Sequence, residues 1–105
     1  MVYLQLTQPY RNFDKVKIGY ASINDSDNPE ETPAKINFRY QIFRLVGNDI
    51  SVLFERSLHI INPEDVDEIG NKKYPNLNLY DTVCRALLEY IVSHSIETGT
   101  LEILQ

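Results

Sequence analysis

The most reactive side chains in this sequence are one cysteine, Cys84, and two histidines, His59 and His94. A cysteine nucleophile needs a neighbouring base that holds it as a thiolate. Cys84 falls on the apolar arc of a predicted helix, where burial raises the pKa of a thiol and leaves it inert. His94 follows ten residues later on that helix, roughly 15 Å away. The spacing therefore predicts that the cysteine and the histidine do not form a catalytic pair. We expect that the protein is not an enzyme and has no catalytic residue.

The sequence also gives little support for a metal site or a phosphate site. Asp25, Asp27 and Glu30 have part of the spacing of a calcium loop, but the position of the third ligand is a proline and the glycine of the sharp turn is missing. The two histidines are far apart, and the cysteine is predicted to be buried, so zinc is not expected. With four glycines in the chain, no glycine-rich phosphate loop is present. We expect no metal and no cofactor.

Arg44 and Arg56 are the residues that most directly suggest a ligand. Both fall on the predicted inward face of a β-hairpin, and a guanidinium that faces an apolar interior needs an anion. That anion is either a carboxylate of the chain or a ligand bound near Tyr40, Arg56 and Tyr90. Arg44 and Arg56 are therefore the candidate anion contacts, and an ion pair within the chain, or a bulge that turns Arg56 to solvent, is the simpler alternative.

Composition excludes several classes of protein. A chain of 105 residues supports one domain, residues 1–105, with a modest core. The net charge of −5 argues against unaided binding to a phosphate backbone, so no nucleic acid is expected. No apolar run approaches the roughly 20 residues that span a bilayer, and the N-terminus lacks a secretory pattern, so no membrane association is expected. One cysteine agrees with a reducing compartment, and we expect a cytoplasmic location.

A long β-hairpin over residues 35–61 must position the arginines. Two registers compete, and side-chain parity distinguishes them because a slip of one residue moves an apolar set to the wrong face. A two-residue Asn48-Asp49 turn sets apolar side chains against polar ones. We favour a three-residue loop, Gly47-Asn48-Asp49, which forms apolar pairs throughout. Those pairs are Val46–Ile50, Ile42–Phe54, Phe38–Leu58 and Ile36–Ile60.

The tip of this hairpin is apolar on both faces. Phe43, Leu45 and Leu53 interrupt an otherwise polar outward face. Strands of this length span roughly 40 Å, which a small domain cannot easily cover on both sides. We expect either a bulge near Ile42 and Phe43 that redirects the chain within one protomer, or packing of the tip on another subunit.

The remaining elements complete an α+β fold, mainly an antiparallel sheet with the order β-β-β-β-α-β. Alternating residues predict strands from Val2 to Pro9, over 15–23 and around 101–103. Asn62 predicts the start of a short helical turn that ends at Gly70. The main helix is predicted over 78–98, with Asn78 as its cap and Gly99 at its left-handed end. Its core-facing arc is Leu79, Tyr80, Val83, Cys84, Leu87, Tyr90, Ile91 and His94, and a second ridge is Leu88, Val92 and Ile96.

These patterns favour a non-catalytic assembly subunit that forms a symmetric homo-oligomer. The expected interface is the hairpin tip, Phe43, Leu45 and Leu53, helped by the ridge of Leu88, Val92 and Ile96. By architecture alone, such subunits build rings and tubes, phage tails and head-to-tail connectors included, which would place the chain in a virion. The alternatives are an adaptor that binds another protein through the acidic loop 24–33, and a small anion-binding domain that uses Arg44 and Arg56.

Overall fold

A computed structural model describes residues 1–24 and 34–104 of the chain and confirms an α+β fold. The strands and helices, in chain order, are β1 Val2–Tyr10, β2 Phe13–Asn24, β3 Lys35–Val46, β4 Asp49–Ile60, α1 Pro63–Gly70, α2 Leu79–Ser93 and β5 Gly99–Ile103. The acidic loop of the adaptor hypothesis, including Asp25, Asp27 and Glu30, lies outside the described residues beyond Asn24.

The five strands form one antiparallel sheet in the order β4-β3-β2-β1-β5. The first four strands follow one another as hairpins. The chain then crosses one face of the sheet as α1 and α2 and returns as β5 beside β1, so both helices cover the same face, here called the inner face. The buried cluster on that face is Val2, Leu4, Leu6, Val16, Ile18, Ile36, Phe38, Tyr40, Ile42, Ile60, Cys84, Leu87, Leu88 and Ile91. Within the described residues, no helix is long and apolar enough to cross a bilayer.

The register of the long hairpin is confirmed in its body and wrong at its tip. Ile42 pairs with Phe54, as predicted, but the next pair on β3 is Phe43 with Val52, so Leu53 is an extra residue and forms a β-bulge. Beyond the bulge Val46 pairs with Asp49 across a two-residue Gly47-Asn48 turn. Gly47 has φ +63°, as the first central position of a type II′ turn requires. The bulge allows a tight turn and apolar pairing in the body at once.

A second bulge explains why Tyr20 does not face the core. On β2, Ile18 pairs with Tyr40, whereas Tyr20 pairs with Arg39, so the register shifts at Gly19. The shift reverses the side-chain parity of the strand. Tyr20 therefore lies half exposed on the outer face, with the Arg39 guanidinium 4.9 Å from its ring centre.

Both predicted helix starts are confirmed by capping contacts. The Asn62 side chain accepts a hydrogen bond from the Glu64 backbone N–H at 3.0 Å, and the Asn78 side chain accepts one from the Asp81 N–H at 2.8 Å. Each bond satisfies an N–H that has no partner inside the helix. α1 packs Val66 and Ile69 against the core.

The end of the main helix is earlier than predicted, because the left-handed residue is Ser95 and not Gly99. Ser95 has φ 56°, and its N–H donates to the Val92 carbonyl, while the Ile96 N–H donates to the Ile91 carbonyl. This pair of bonds is a Schellman motif. Gly99 instead begins β5, where an added Cβ would lie 2.1 Å from the Gln5 carbonyl oxygen. The glycine is required by the close approach of two strands.

The first turn of α2 also departs from the predicted core arc. Leu79 and Tyr80 are exposed, and Val83 lies at the edge of the core. The helix reaches the sheet only from Cys84 onward, because its buried side chains are Cys84, Ala86, Leu87, Leu88 and Ile91. The apolar first turn is thus left at the surface beside the second half of β2.

Candidate functional site

A buried carboxylate, Glu97, gathers polar groups on the inner face just beyond the end of α2. The Tyr10 hydroxyl donates to Glu97 Oε1 at 2.6 Å, and the Tyr40 hydroxyl donates to Oε2 at 3.1 Å. Arg56 Nη1 lies 3.5 Å from the same Oε2. The Glu97 side chain is 3 % exposed and that of Arg56 is 49 % exposed. A buried charge is therefore compensated by two hydroxyls and a guanidinium that reaches solvent.

Backbone irregularities bring these groups together. The Schellman motif at Ser95 turns the chain back toward the sheet, and the Thr7 N–H donates to the Thr98 carbonyl at 3.0 Å. On β1, residues 6–9 lie opposite a single residue of β2, so the strand leaves its regular pairing before Tyr10. The Tyr10 ring then packs edge-on against Phe54, with centroids 5.4 Å apart. The cluster thus joins four segments of the chain: β1, β3, β4 and the turn after α2.

The electrostatics of the cluster keep both phenols protonated. The hydrogen bond to Glu97 raises the pKa of Tyr10, with burial and the negative charge adding to it. Burial raises the pKa of Tyr40. The hydrogen bond with Tyr40 raises the pKa of Arg56. A group that transfers protons needs a pKa near the working pH. These shifts move the pKa values of Tyr10 and Tyr40 further from neutral pH, so they suit a structural network of hydrogen bonds.

The two candidate anion contacts, Arg44 and Arg56, have different surroundings. The anion at Arg56 is the carboxylate of Glu97, which is the simpler alternative that the sequence left open. The Arg44 guanidinium stacks 4.7 Å from the ring centre of Phe13, and its Nε is buried without a hydrogen-bond partner among the described residues. Anion binding at Arg44 stays a prediction.

The structure keeps Cys84 and His94 in separate environments. Cys84 is buried on the core side of α2, and this burial raises the pKa of its thiol, as predicted. His94 caps the C-terminus of α2, where its ring stacks on Tyr90 at 3.9 Å between centroids. Its Nε2 lies 3.8 Å from a carboxylate oxygen of Asp65 on α1. His94 therefore links the two helices.

The end of the hairpin is apolar on both faces and is here called the tip patch: Leu45, Val46, Ile50, Val52 and Leu53. Val46, which pairs with Asp49, lies on the inner face. Because of the bulge, Val52 and Ile50 share the outer face with Phe43 and Leu45, to which they are paired. Val46, Ile50 and Val52 are 54 %, 45 % and 43 % exposed. Leu45 and Leu53 are half-buried.

Two residues of the predicted interface are interior instead. Phe43 is fully buried on the outer face, where the Tyr3 ring packs edge-on at 6.5 Å between centroids. Leu88 is fully buried between α2 and the sheet. Val92 and Ile96 are half-buried against the core, and Ile96 lies beyond the helix, so the predicted ridge of Leu88, Val92 and Ile96 is not continuous. Packing of Tyr3 covers Phe43, packing of α2 on the sheet covers Leu88, and the early end of α2 removes Ile96 from the helix.

The long edge of the sheet is protected against backbone pairing. β4 is an edge strand of 12 residues and would otherwise be a template for a further strand. The bulge at Leu53 and the charged side chains of Glu55 and Arg56 interrupt it. Contacts at this end of the molecule are therefore expected to use side chains rather than strand addition.

Sequence reasoning missed Glu97 and the exposed first turn of α2. With the helix predicted to run through residue 98, Glu97 appeared as one more helical acid. The available signal was the need of Arg56 for a buried carboxylate.

Comparison of the chain with protein-family models, with curated proteins and with solved structures finds no match.

Proposed function

We propose that this chain is a non-catalytic assembly subunit that forms a symmetric homo-oligomer through the tip patch. The observation that carries the proposal is the exposure of Ile50 and Val52 on the outer face, and of Val46 on the inner face, at the end of a molecule 48 Å long. Contiguous exposed apolar side chains mark contact surfaces more often than isolated ones do. Self-association would remove this surface from water.

The composition of the tip supports a protein contact. Residues 45–53 contain one charged side chain, Asp49. The centre of a protein interface is depleted in charge in the same way. Fully buried Phe43 is the cross-strand partner of Val52 on the outer face and gives the patch a rigid neighbour, which lowers the conformational entropy lost on association.

The finer proposal is a ring or tube component of the phage-tail or connector kind, by architectural analogy. Its location would be the cytoplasm or a virion.

Sedimentation of an Ile50→Lys variant tests the proposal, with Ser57→Lys as the matched control. Both positions are exposed on β4, and both substitutions add one positive charge, but Ser57 lies outside the tip patch. Loss of one buried isoleucine contact costs about 1.5–3 kcal/mol, which weakens association roughly 10- to 150-fold. Ile50→Lys should sediment as a monomer where the wild type and Ser57→Lys associate, with unchanged far-ultraviolet circular dichroism.

Two results would contradict the proposal. One is a wild type that sediments as a monomer at high concentration. The other is an Ile50→Lys variant that associates as strongly as Ser57→Lys, because the tip patch would then make no contact.

A further inference from the structure

An apolar groove lies at the end of the molecule opposite to the tip patch. One wall is the first turn of α2, with Leu79 and Val83, and the opposite wall is the second half of β2, with Ala21 and Ile23. α1 and the residues after it line the groove as well, from Val66 to Lys72. Its larger lobe has a volume of about 660 Å³, and Leu87 lies at its base. Leu79 is 82 % exposed and Ile23 is 72 % exposed. The groove thus presents aliphatic walls that its own protomer does not cover within the described residues.

The sequence and the exposed surface limit what can fill the groove. The segment that follows Asn24 is Asp-Ser-Asp-Asn-Pro-Glu-Glu-Thr-Pro, which has no aliphatic or aromatic side chain apart from two prolines. Among the described residues, the large exposed apolar side chains outside the groove walls are those of the tip patch, Ile61 at the end of β4, and Ile103 and Leu104 near the C-terminus. The tip patch is the one of these that forms the projecting end of a long hairpin.

The tip and the groove cannot meet within one molecule. Ile36 lines the groove and Val46 belongs to the tip patch, and both lie on β3. Ten residues of extended strand separate them by roughly 33 Å. The groove opens on the inner face, whereas Ile50 and Val52 lie on the outer face. A contact between tip and groove therefore needs a second copy of the chain.

We infer that the groove between α2 and β2 receives the hairpin tip of a second copy, in a head-to-tail contact. Ile50 and Val52 of one copy pack between Leu79 and Ile23 of the next. Because the two surfaces differ, the contact is heterologous, and repetition closes into a ring or continues as a filament. The inference rests on the proposed function and specifies its geometry.

Mixing two defective variants separates this geometry from a tip-to-tip contact. Ile50→Lys damages the tip and keeps the groove, while Leu79→Glu damages the groove and keeps the tip. Each variant alone should sediment as a monomer, at least tenfold weaker in association than the wild type. An equimolar mixture should form a 1:1 dimer that does not grow, because one intact tip meets one intact groove. Asn76→Glu, an exposed position just before α2 and outside the groove, is the control and should associate as the wild type does.

The outcomes distinguish the inference from the proposed function. If Leu79→Glu associates normally while Ile50→Lys does not, the groove is not the receiver and the tip meets another tip. If both variants are monomers and their mixture forms no dimer, an intact tip does not bind an intact groove, and the head-to-tail geometry is overturned. If Ile50→Lys associates normally, or the wild type is a monomer, the proposed function fails as well. Ile23→Lys, on the opposite wall, provides a second groove variant, and circular dichroism confirms that each variant is folded.

Discussion

Replacement of Glu97 by alanine should destabilise the protein strongly, although no enzyme-like role is assigned to this residue. The substitution removes the acceptor of the Tyr10 and Tyr40 hydroxyls. Tyr40 is fully buried, so its hydroxyl would lack a partner at a cost of about 1–3 kcal/mol. Tyr10 is partly exposed and can turn to water, which limits its loss to about 0.5–1.5 kcal/mol. Arg56 is half exposed and adds little.

The sum is about 1.5–4.5 kcal/mol of unfolding free energy, which is a large part of the stability of a small domain. In urea, with an m value of about 1.5 kcal/mol/M, the midpoint should fall by roughly 1–3 M. The measurement is equilibrium unfolding by circular dichroism at one fixed protein concentration, because self-association would also change the midpoint.

Two further variants separate the contributions to this loss. Glu97→Gln keeps one carbonyl acceptor and the side-chain volume, so its midpoint should lie between those of the wild type and Glu97→Ala. Glu102→Ala changes an exposed acid on β5 and should stay within about 0.5 kcal/mol of the wild type. If Glu97→Ala also stays within that range, the buried network does not stabilise the fold and the reasoning is refuted.

Three other predictions concern single positions. Gly99→Ala should lower the free energy of unfolding by about 3 kcal/mol or more, or prevent folding, because its Cβ would meet a β1 carbonyl at 2.1 Å. Gly70→Ala has open space around its Cβ and should change the free energy of unfolding by no more than about 1 kcal/mol in either direction. Equal urea midpoints for the two variants would contradict this prediction. Ser95→Gly should stabilise by up to about 1 kcal/mol because φ is 56° there, and Ser93→Gly, at the last residue of α2, should destabilise by about 0.5–1 kcal/mol. If Ser95→Gly is the more damaging of the two in thermal unfolding, the left-handed assignment is wrong. Burial and a carboxylate partner raise the pKa of Tyr74 from 10.0 to about 12, so the folded state holds a proton that the unfolded state releases. This contribution to stability is complete below pH 10 and is lost as the pH rises toward 12, and Tyr74→Phe should reduce the fall in urea midpoint between pH 9 and pH 11.5; an unchanged fall would contradict the pKa shift.

Sequence patterns were sufficient wherever the controlling interaction is local. Alternation over residues 35–61 predicted the long hairpin, and the side chains of Asn62 and Asn78 predicted the helix starts, because a cap bonds to an N–H two or three residues away. The burial of Cys84 followed from the apolar arc of its helix. Such contacts depend on spacing along the chain, which the sequence contains directly.

Only the tertiary structure decided features that depend on contacts between distant segments. A bulge near Ile42 and Phe43 was one of two alternatives that the sequence left open, and only the structure shows that Leu53 is the extra residue and that Val52 lies on the outer face. The helix ended at Ser93 because packing favoured a left-handed Ser95, and Gly99 was needed against β1. Partners of Glu97 lie 57 and 87 residues away along the chain. Side chains so far apart in sequence meet only when the sheet and helices have packed, and one-dimensional periodicity carries no information about that packing.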